Sequence, residues 1–339
     1  MEYRSLGGTG VKVSHLCLGA MMFGDWGNTD HEESVRIIHA ALDAGVNFVD
    51  TADIYSNGES EEIVAKALKG RRDDVMLATK FHASMGDDPN RRGNSRRWIH
   101  QACDDSLRRL GTDWIDIYQA HRHDPDVDLD ETLGALSDLV HAGKVRYLGS
   151  STFPPSAIVE AQWVAERRHR ERFVCEQPPY SVFVRGVESE VLPTCQRYRM
   201  GVIAWSPLNA GWLTGKYRKG EEPPEGSRAA RGRMARFDAP ENVRKLDLVE
   251  ELATVAAGAG ISLTHLAQAF VVRHPAVTSA IIGPRTMEQL TDLLAGQDVV
   301  LDDETLDRID ELVAPGTNVH GGDAGWTSPA LAPAARRRA

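Results

Sequence analysis

The sequence predicts one barrel of eight parallel β-strands, each followed by a helix. Strand-like and helix-like segments alternate at intervals of about thirty residues, the size of a βαβ unit. The connections are of similar length and no break in composition divides the chain, which favours a barrel over an open, doubly wound sheet. Barrels of this kind commonly exceed about 250 residues as one domain, so 339 residues do not require two.

A hairpin is predicted at the start of the chain. Met1–Leu6 and Val11–Leu18 flank the turn Gly7–Gly8–Thr9–Gly10, and Leu16–Gly19 supplies the first barrel strand. The glycines invite comparison with a dinucleotide-binding loop, but that fingerprint needs a helix after it, and here a strand follows. The turn is therefore favoured, and a nicotinamide cofactor would have to bind elsewhere.

The first βα unit shows how the other elements are predicted. Thr29 and Glu32 have the spacing of a capping box, apolar residues follow at helical intervals, and Gly45 stands where a helix would end. Val46–Asp50 then forms the second strand. The remaining strands are predicted at Val75–Lys80, Ile115–His121, Val145–Ser150, Phe173–Gln177, Val202–Trp205 and Thr278–Ile282. The helices that precede them are predicted at Glu59–Lys69, Ser95–Leu110, Asp130–Ala142, Pro155–Arg168, Gly186–Tyr198, Val243–Gly258 and Ser262–Arg273.

Composition excludes several classes of protein. A net charge of −10 disfavours nucleic acid and anionic membranes as partners. The N-terminus has no secretory leader and no apolar run reaches about 18 residues, so a cytoplasmic location is expected. The cysteines are far apart, which predicts reduced core thiols at Cys17, Cys103, Cys175 and Cys195. The oligomeric state is not predicted.

Four polar side chains come at or just after predicted strand ends, where barrels of this type carry their chemistry. They are Asp50, Tyr55, Lys80 and His121. A carbonyl that accepts hydride needs a proton, but tyrosine, with a free pKa of about 10, is a weak acid. A neighbouring ammonium would lower that pKa, a carboxylate would hold the ammonium, and an imidazole could orient the carbonyl oxygen.

Several further segments carry a resemblance to a known family: Tyr3–Gly7, Gly19–Gly24, Asp50–Tyr55, Ser106–Asp113 and Trp205–Leu208. Through them nearly the whole chain resembles the aldo-keto reductase family, in the longer-chain branch that includes potassium-channel β-subunits and bacterial reductases. The resemblance implies NADPH-dependent reduction of aldehydes or ketones to alcohols. It also implies a tetrad in which Tyr55 is the general acid and base, with Lys80, Asp50 and His121.

An anion site is predicted after the eighth strand. Thr286 and Gln289 have capping-box spacing at the start of a helix, and helix N-termini at this place in barrels bind phosphate. The loop Gly211–Arg236, which follows the seventh strand, is basic. Its cations could fold over the pyrophosphate of a cofactor, or they could form a surface exposed to solvent. Its cations are Lys216, Arg218, Lys219, Arg228, Arg231, Arg233 and Arg236.

The resemblance assigns cofactor roles to individual residues. Lys216 and Arg228 fall on phosphate-contacting positions, Arg285 falls near the 2′-phosphate, and Trp205 falls where an aromatic ring stacks on the nicotinamide. Ser151 and Gln177 would hold the carboxamide. The other implied contacts are Gly19, Met21, Asp50, Thr152, Ser206, Pro207, Leu208, Gly283 and Gln289. The chain departs from the family's usual asparagine at Thr152 and Leu293.

These assignments define the expected organisation. The barrel domain spans 1–315, with 209–242 as the loop over the cofactor, and 316–339 forms a tail that is a candidate lid for the substrate pocket. The substrate is a small carbonyl compound in an apolar or aromatic-tolerant site. Candidate lining residues are Phe23, Trp26, Phe81 and Trp326.

Two other functions compete with carbonyl reduction. His121 and His123 could bind a metal, as in barrel hydrolases, but those enzymes place the pair after the first strand and need an aspartate after the last, where Ile281–Gly283 has none. No metal is therefore predicted. The second alternative is a binding or regulatory subunit with weak or no turnover, since channel β-subunits use this fold to bind partners.

Overall fold

A short hairpin closes one end of the molecule in the computed structural model, which describes residues 1–230 and 242–337. Strands β1 (Tyr3–Ser5) and β2 (Lys12–Ser14) pair in antiparallel register. Gly7 follows β1 with φ +55°, and a Cβ there would lie 2.5 Å from the carbonyl oxygen of Arg199. Only glycine fits so close an approach at a left-handed turn.

Within the described residues, eight parallel strands close into a barrel, as predicted. In order around the ring they are β3 (Leu16–Gly19), β4 (Phe48–Asp50), β5 (Met76–Phe81), β6 (Ile115–Ala120), β7 (Val145–Ser151), β8 (Phe173–Gln177), β9 (Gly201–Ala204) and β10 (Ser279–Ile282). Strand β10 pairs with β3 and completes the ring. All strands therefore end on the same side of the barrel, opposite the hairpin.

Helices surround the strands. They are α1 (His31–Asp43), α2 (Glu59–Leu68), α3 (Arg96–Leu110), α4 (Leu129–His141), α5 (Pro155–Arg168), α6 (Val191–Arg197), α7 (Val243–Gly258), α8 (Leu263–Arg273), α9 (Met287–Ala295), α10 (Asp303–Leu312) and α11 (Pro333–Arg336). Most predicted boundaries lie within one or two residues of these. At α3, the Ser95 side chain caps the start and the left-handed Gly111 ends the helix.

Two predictions about helices were wrong in detail. The cap of α1 is Asp30, which accepts from the backbone N–H of Glu33 at 2.9 Å, rather than Thr29 with Glu32. The predicted helix Gly186–Tyr198 is divided into a 3₁₀ turn, Gly186–Glu188, and α6. Pro193 explains the break, because its ring would clash with the carbonyl four residues earlier in a continuous helix.

The apolar core has two layers. Inside the barrel, the hairpin residues Leu6 and Val13 pack with strand residues that include Cys17, Phe48 and Ile203. A larger layer fills the space between strands and helices. All four cysteines are buried and unbonded, as predicted. Because the hairpin fills the N-terminal end of the barrel, the C-terminal end remains available for a site.

Within the described chain, no single helix is long and apolar enough to cross a membrane. Helices α7 and α8 meet that test only when taken together, and they are bent by 86° relative to one another. Many of their apolar residues, such as Leu252 and Val271, are buried in the core, which explains their composition.

Candidate active site

The four polar side chains predicted at the strand ends meet at the C-terminal end of the barrel. Asp50 ends β4, Lys80 is near the end of β5, and His121 follows β6 directly. Adjacent parallel strands place these residues side by side. Asp50 and Lys80 are buried, whereas Tyr55 and His121 are partly exposed at the mouth, where a substrate could reach them.

The Lys80 ammonium is held by three acceptors. Its Nζ donates to Asp50 Oδ2 at 2.5 Å, to the Thr51 carbonyl oxygen at 2.8 Å and to Tyr55 Oη at 3.3 Å. An ammonium has three protons, so all of its donors are used and its position is fixed. The phenol of Tyr55 is thereby connected to a buried ion pair.

Two glutamine side chains orient Asp50. Oδ1 accepts from Gln177 Nε2 at 2.8 Å and from Gln119 Nε2 at 3.1 Å, and the two amides are linked to each other at 3.2 Å. Gln177, expected to hold a carboxamide, is directed at Asp50 here. Gln119 was not predicted, although it precedes His121 by two residues and alternation along β6 puts both side chains on the inner face.

Tyr55 is presented by a tight turn, Tyr55–Gly58. Ser56 and Asn57 have left-handed backbones, with φ of 47° and 56°. Gly58 has φ +96°, and a Cβ there would lie 2.7 Å from the Arg109 side chain, so the turn requires glycine. The Tyr55 ring lies 5.8 Å from the rings of both Trp26 and His121.

Burial and neighbouring charges together set the pKa values of Tyr55, Lys80 and His121. Burial raises the pKa of Tyr55, and Lys80 opposes that rise without cancelling it. The sequence predicted a lowered pKa, which does not describe the net direction because the cost of burying a phenolate is larger. Burial alone would lower the pKa of Lys80, but Asp50 and Tyr55 raise it above its usual value. Burial and nearby Lys80 hold the pKa of His121 well below its usual value, so His121 is neutral near pH 7.

Three predicted phosphate ligands are brought together near the end of β10. Burial, Arg228 and Arg285 lower the pKa of Lys216, which shows that these three cations lie near one another. Arg285 Nη1 donates to the Gly226 carbonyl oxygen at 2.8 Å, so the loop after β9 reaches the start of α9. A group of cations beside a capped helix N-terminus fits a phosphate.

Other cations of the same loop face away. Arg218 pairs with Glu250 at 2.7 Å and Lys219 pairs with Asp247 at 2.7 Å, and both acids belong to α7. Arg231, Arg233 and Arg236 lie outside the described residues. The described part of the loop is thus divided between the group of three cations near α9 and an outer face that pairs with α7.

Trp205 lies between strand ends and the tail. Its Nε1 donates to Thr152 Oγ1 at 3.3 Å, and Thr152 has a left-handed backbone with φ 57°. Gly325 covers one side of the ring, since a Cβ there would lie 2.8 Å from the Trp205 side chain. Ser151 Oγ donates to the Gln177 carbonyl oxygen at 2.9 Å. The remaining predicted cofactor residues also lie at this end of the barrel. Gly19 ends β3, Gln289 lies in the first turn of α9, and the others lie on loops: Met21, Ser206, Pro207, Leu208 and Gly283.

The candidate pocket residues separate into two groups. Trp26 and Trp326 are partly exposed, whereas Phe23 and Phe81 are fully buried. Side chains alternate along β5, so Phe81 faces outwards because Lys80 takes the inner face. The ring of Phe81 packs against the ring of Tyr118, with centroids 4.9 Å apart. The two phenylalanines therefore lie in the core and not on an open pocket wall.

The metal site considered as an alternative would use His121 and His123. His123 packs edge-on against Phe153, with ring centroids 5.3 Å apart. In the part of the chain that the structure describes, no three His, Cys, Asp or Glu side chains gather as a metal would require.

Comparison with known proteins shows the family. A model described as "Aldo/keto reductase family" matches residues 15–314. The chain belongs to the aldo/keto reductase family. It is 41% identical over 323 residues to the "Uncharacterized oxidoreductase YrpG" of Bacillus subtilis, covering 92% of this chain and 96% of that protein. It is 37% identical to the "Aldo-keto reductase YhdN" of the same organism, over 86% and 88% of the two chains. It is 36% identical to the "Probable voltage-gated potassium channel subunit beta" of Oryza sativa, over 92% and 97%.

This aldo/keto reductase also buries a carboxyl group behind the site. Asp53 is fully buried, and neither of its oxygens has a hydrogen-bond partner among the described residues. Burial, followed by the neighbouring Glu61, raises its pKa to about 8. Asp53 is therefore protonated in the folded enzyme near neutral pH.

Asp53→Asn should stabilise the enzyme more at pH 8 than at pH 5. The unfolded chain releases this proton near pH 4, whereas the folded chain holds it until about pH 8. Between these values the unfolded state binds fewer protons, so Asp53 makes the native state less stable as pH rises. The neutral amide removes that loss, and we expect a gain in Tm of a few degrees at pH 8 and little change at pH 5. An equal change at both pH values would contradict a buried, protonated Asp53.

Proposed function

We propose that this protein is an NADPH-dependent reductase of aldehydes or ketones, with Tyr55 as the general acid. The observation that carries the proposal is the chain of contacts from Asp50 through Lys80 to Tyr55 Oη, at 2.5 and 3.3 Å, with neutral His121 beside the phenol. Membership of the family supports an oxidoreductase that acts on carbonyl groups.

The residues of the tetrad have distinct roles in this proposal. A bound nicotinamide supplies the hydride. Tyr55 Oη donates a proton to the carbonyl oxygen, and the neutral imidazole of His121 donates a hydrogen bond that orients the same oxygen. The Lys80 ammonium stabilises the phenolate that remains, and Asp50 balances the charge of Lys80. Because Tyr55 is partly exposed, solvent can return its proton.

The cations near β10 support binding of the phosphates. Lys216 and Arg228 would contact the pyrophosphate, and Arg285 would contact the 2′-phosphate that distinguishes NADPH from NADH. Trp205 would stack on the nicotinamide. In this arrangement Arg285 and the capped start of α9 face one anion together.

Arg285→Ala should weaken NADPH binding about ten- to a hundredfold and leave NADH binding nearly unchanged. A hydrogen-bonded charge pair contributes about 1.5–3 kcal/mol, and about 1.4 kcal/mol corresponds to a factor of ten. The measurement is Kd for both cofactors by tryptophan fluorescence or calorimetry. Arg218→Ala is the matched control, because that cation of the same loop pairs with Glu250. Equal losses for both cofactors would assign Arg285 to the shared pyrophosphate or to the fold.

Consumption of NADPH with a panel of aldehydes and ketones tests the proposal directly. Turnover is the result expected. The rice relative's name suggests the alternative of a binding subunit. NADPH binding without turnover of any carbonyl compound would favour that alternative.

Exhaustive treatment with EDTA should leave the activity intact. Proton and hydride transfer by this tetrad require no metal, and His123 is turned towards Phe153. Activity measured before and after chelation checks the prediction. Loss on chelation with recovery on adding zinc would instead restore the metal hypothesis.

A further inference from the structure

Arg122 brings a cation to the mouth of the proposed site. It follows His121, and its Nη1 donates to the His121 carbonyl oxygen at 2.6 Å. Its own carbonyl oxygen accepts from the buried Asn94 Nδ2 at 3.0 Å, which anchors the backbone. Burial lowers the pKa of the Arg122 guanidinium, and nearby Tyr55 and Glu176 oppose that fall, which is consistent with a position beside the proton-donating phenol.

Arg122 forms no ion pair within 4.0 Å with a carboxylate of the described residues. Asp124, two residues away, accepts instead from the backbone N–H groups of Asn94 and Asp126, at 3.1 and 3.2 Å. Glu176 accepts from the Ser150 hydroxyl and from the Phe153 N–H. Arginine is seldom buried without a partner, because removing its charge from water is costly. A part-buried, unpaired Arg122 is therefore suited to a ligand.

The cofactor phosphates are not that ligand. Lys216, Arg228 and Arg285 follow β9 and β10, whereas Arg122 follows β6. In the order around the ring, β6 is the fourth strand from β10, so it lies on the opposite wall. Arg122 stands on the substrate side, next to Tyr55 and His121.

We propose that Arg122 recognises a carboxylate group of the substrate, so that the preferred substrates are aldehydes or ketones that also carry a carboxylate. The inference rests on the proposed function and names its substrate class. Nη1 is occupied by the His121 carbonyl, but Nε and Nη2 donate to no described residue. That edge of a guanidinium matches the two oxygens of a carboxylate.

The charges around the mouth agree with this preference. Asp50 compensates the charge of Lys80, and His121 is neutral. Arg122 is therefore the cation that a substrate anion would meet near Tyr55. A local positive charge is needed for such a substrate, because the whole protein has a net charge of −10.

The test compares para-carboxybenzaldehyde with its neutral, planar analogue para-nitrobenzaldehyde in wild type and Arg122→Met. We compare the ratio of kcat/KM for the two aldehydes between wild type and variant, because the intrinsic difference in their reactivity cancels in that comparison. We expect Arg122→Met to lower the ratio about ten- to a hundredfold, and Arg122→Lys to lower it less. Arg146→Met is the matched control. This substitution removes the same charge from an exposed arginine near the start of β7, at the opposite end of the barrel from the site. It should leave the ratio unchanged.

An equal fall in kcat/KM for both aldehydes in Arg122→Met would overturn the proposal, since Arg122 would then serve the common chemistry or the fold. A binding measurement separates this result from failure of the proposed function. Calorimetry with para-carboxybenzaldehyde in the presence of NADP⁺ needs no turnover, and Kd should weaken by a similar factor in Arg122→Met. Equal Kd values in wild type and variant would also overturn the proposal.

Discussion

Tyr55→Phe should reduce kcat for carbonyl reduction by about 10²–10⁴-fold, the share that general acid catalysis commonly supplies. The substitution removes Oη, the atom that Lys80 contacts at 3.3 Å, and keeps the ring that packs near Trp26 and His121. NADPH affinity should stay near that of wild type, because the cations predicted to hold its phosphates lie near β10. Single-turnover rates and cofactor Kd check both parts.

Tyr118→Phe is a matched control for this variant. Unlike Tyr55, Tyr118 is fully buried, and its Oη has no hydrogen-bond partner among the described residues. It packs against Phe81 on the outer side of β5 and β6, away from the mouth. Removing its hydroxyl should leave the rate almost unchanged. If Tyr55→Phe retained most of its activity, Tyr55 would not be the acid.

Lys80→Met should destabilise the protein by about 3–5 kcal/mol, because breaking a buried ion pair leaves one charge without its partner. Asp50 would remain buried, with only the Gln119 and Gln177 amides to solvate it. Chemical denaturation measures the loss. Asp50→Asn combined with Lys80→Met should recover much of the stability and none of the activity, which separates the structural role of the pair from its role in the reaction.

The single variant Lys80→Met should also change how the rate of carbonyl reduction depends on pH. Reduction needs the phenol form of Tyr55, so the rate falls as pH rises through the pKa of Tyr55. Lys80 lowers that pKa, although burial keeps it above its usual value. Without Lys80 the fall should move to higher pH, and the rise in alcohol oxidation, which needs the phenolate, should move the same way. An unchanged profile in a folded, active variant would refute the coupling.

The sequence was informative wherever a local rule applies. Strand periodicity and the helix signals predict the barrel, because each βα unit repeats the same pattern of caps and apolar residues. The rule that barrel chemistry lies at the C-terminal strand ends then selects Asp50, Lys80 and His121, and all three meet in the structure. Helix α7 was predicted with its observed boundaries, Val243–Gly258, since apolar spacing along one helix is a local property.

Positions that depend on packing across the barrel were not predictable in this way. Gln119 and Gln177 orient Asp50 from two other strands, and nothing in their own segments indicates that shared partner. Phe81 was a candidate pocket residue, but alternation along β5 turns its side chain into the core. Arg122 was not a candidate from the sequence. It became one because the structure shows that no carboxylate of the described residues pairs with it.

The sequence by itself determined the fold class and the residue types at the strand ends, because both follow from periods of two and 3.6 residues along the chain. The tertiary structure decided the electrostatics. Whether Lys80 lowers the pKa of Tyr55 below its usual value depends on the balance between one nearby charge and the burial of the phenol. Burial has the larger effect, so the pKa of Tyr55 is raised, opposite to the direction that the sequence predicted. Burial is set by every element packed around the group, so no local pattern in the sequence can report it.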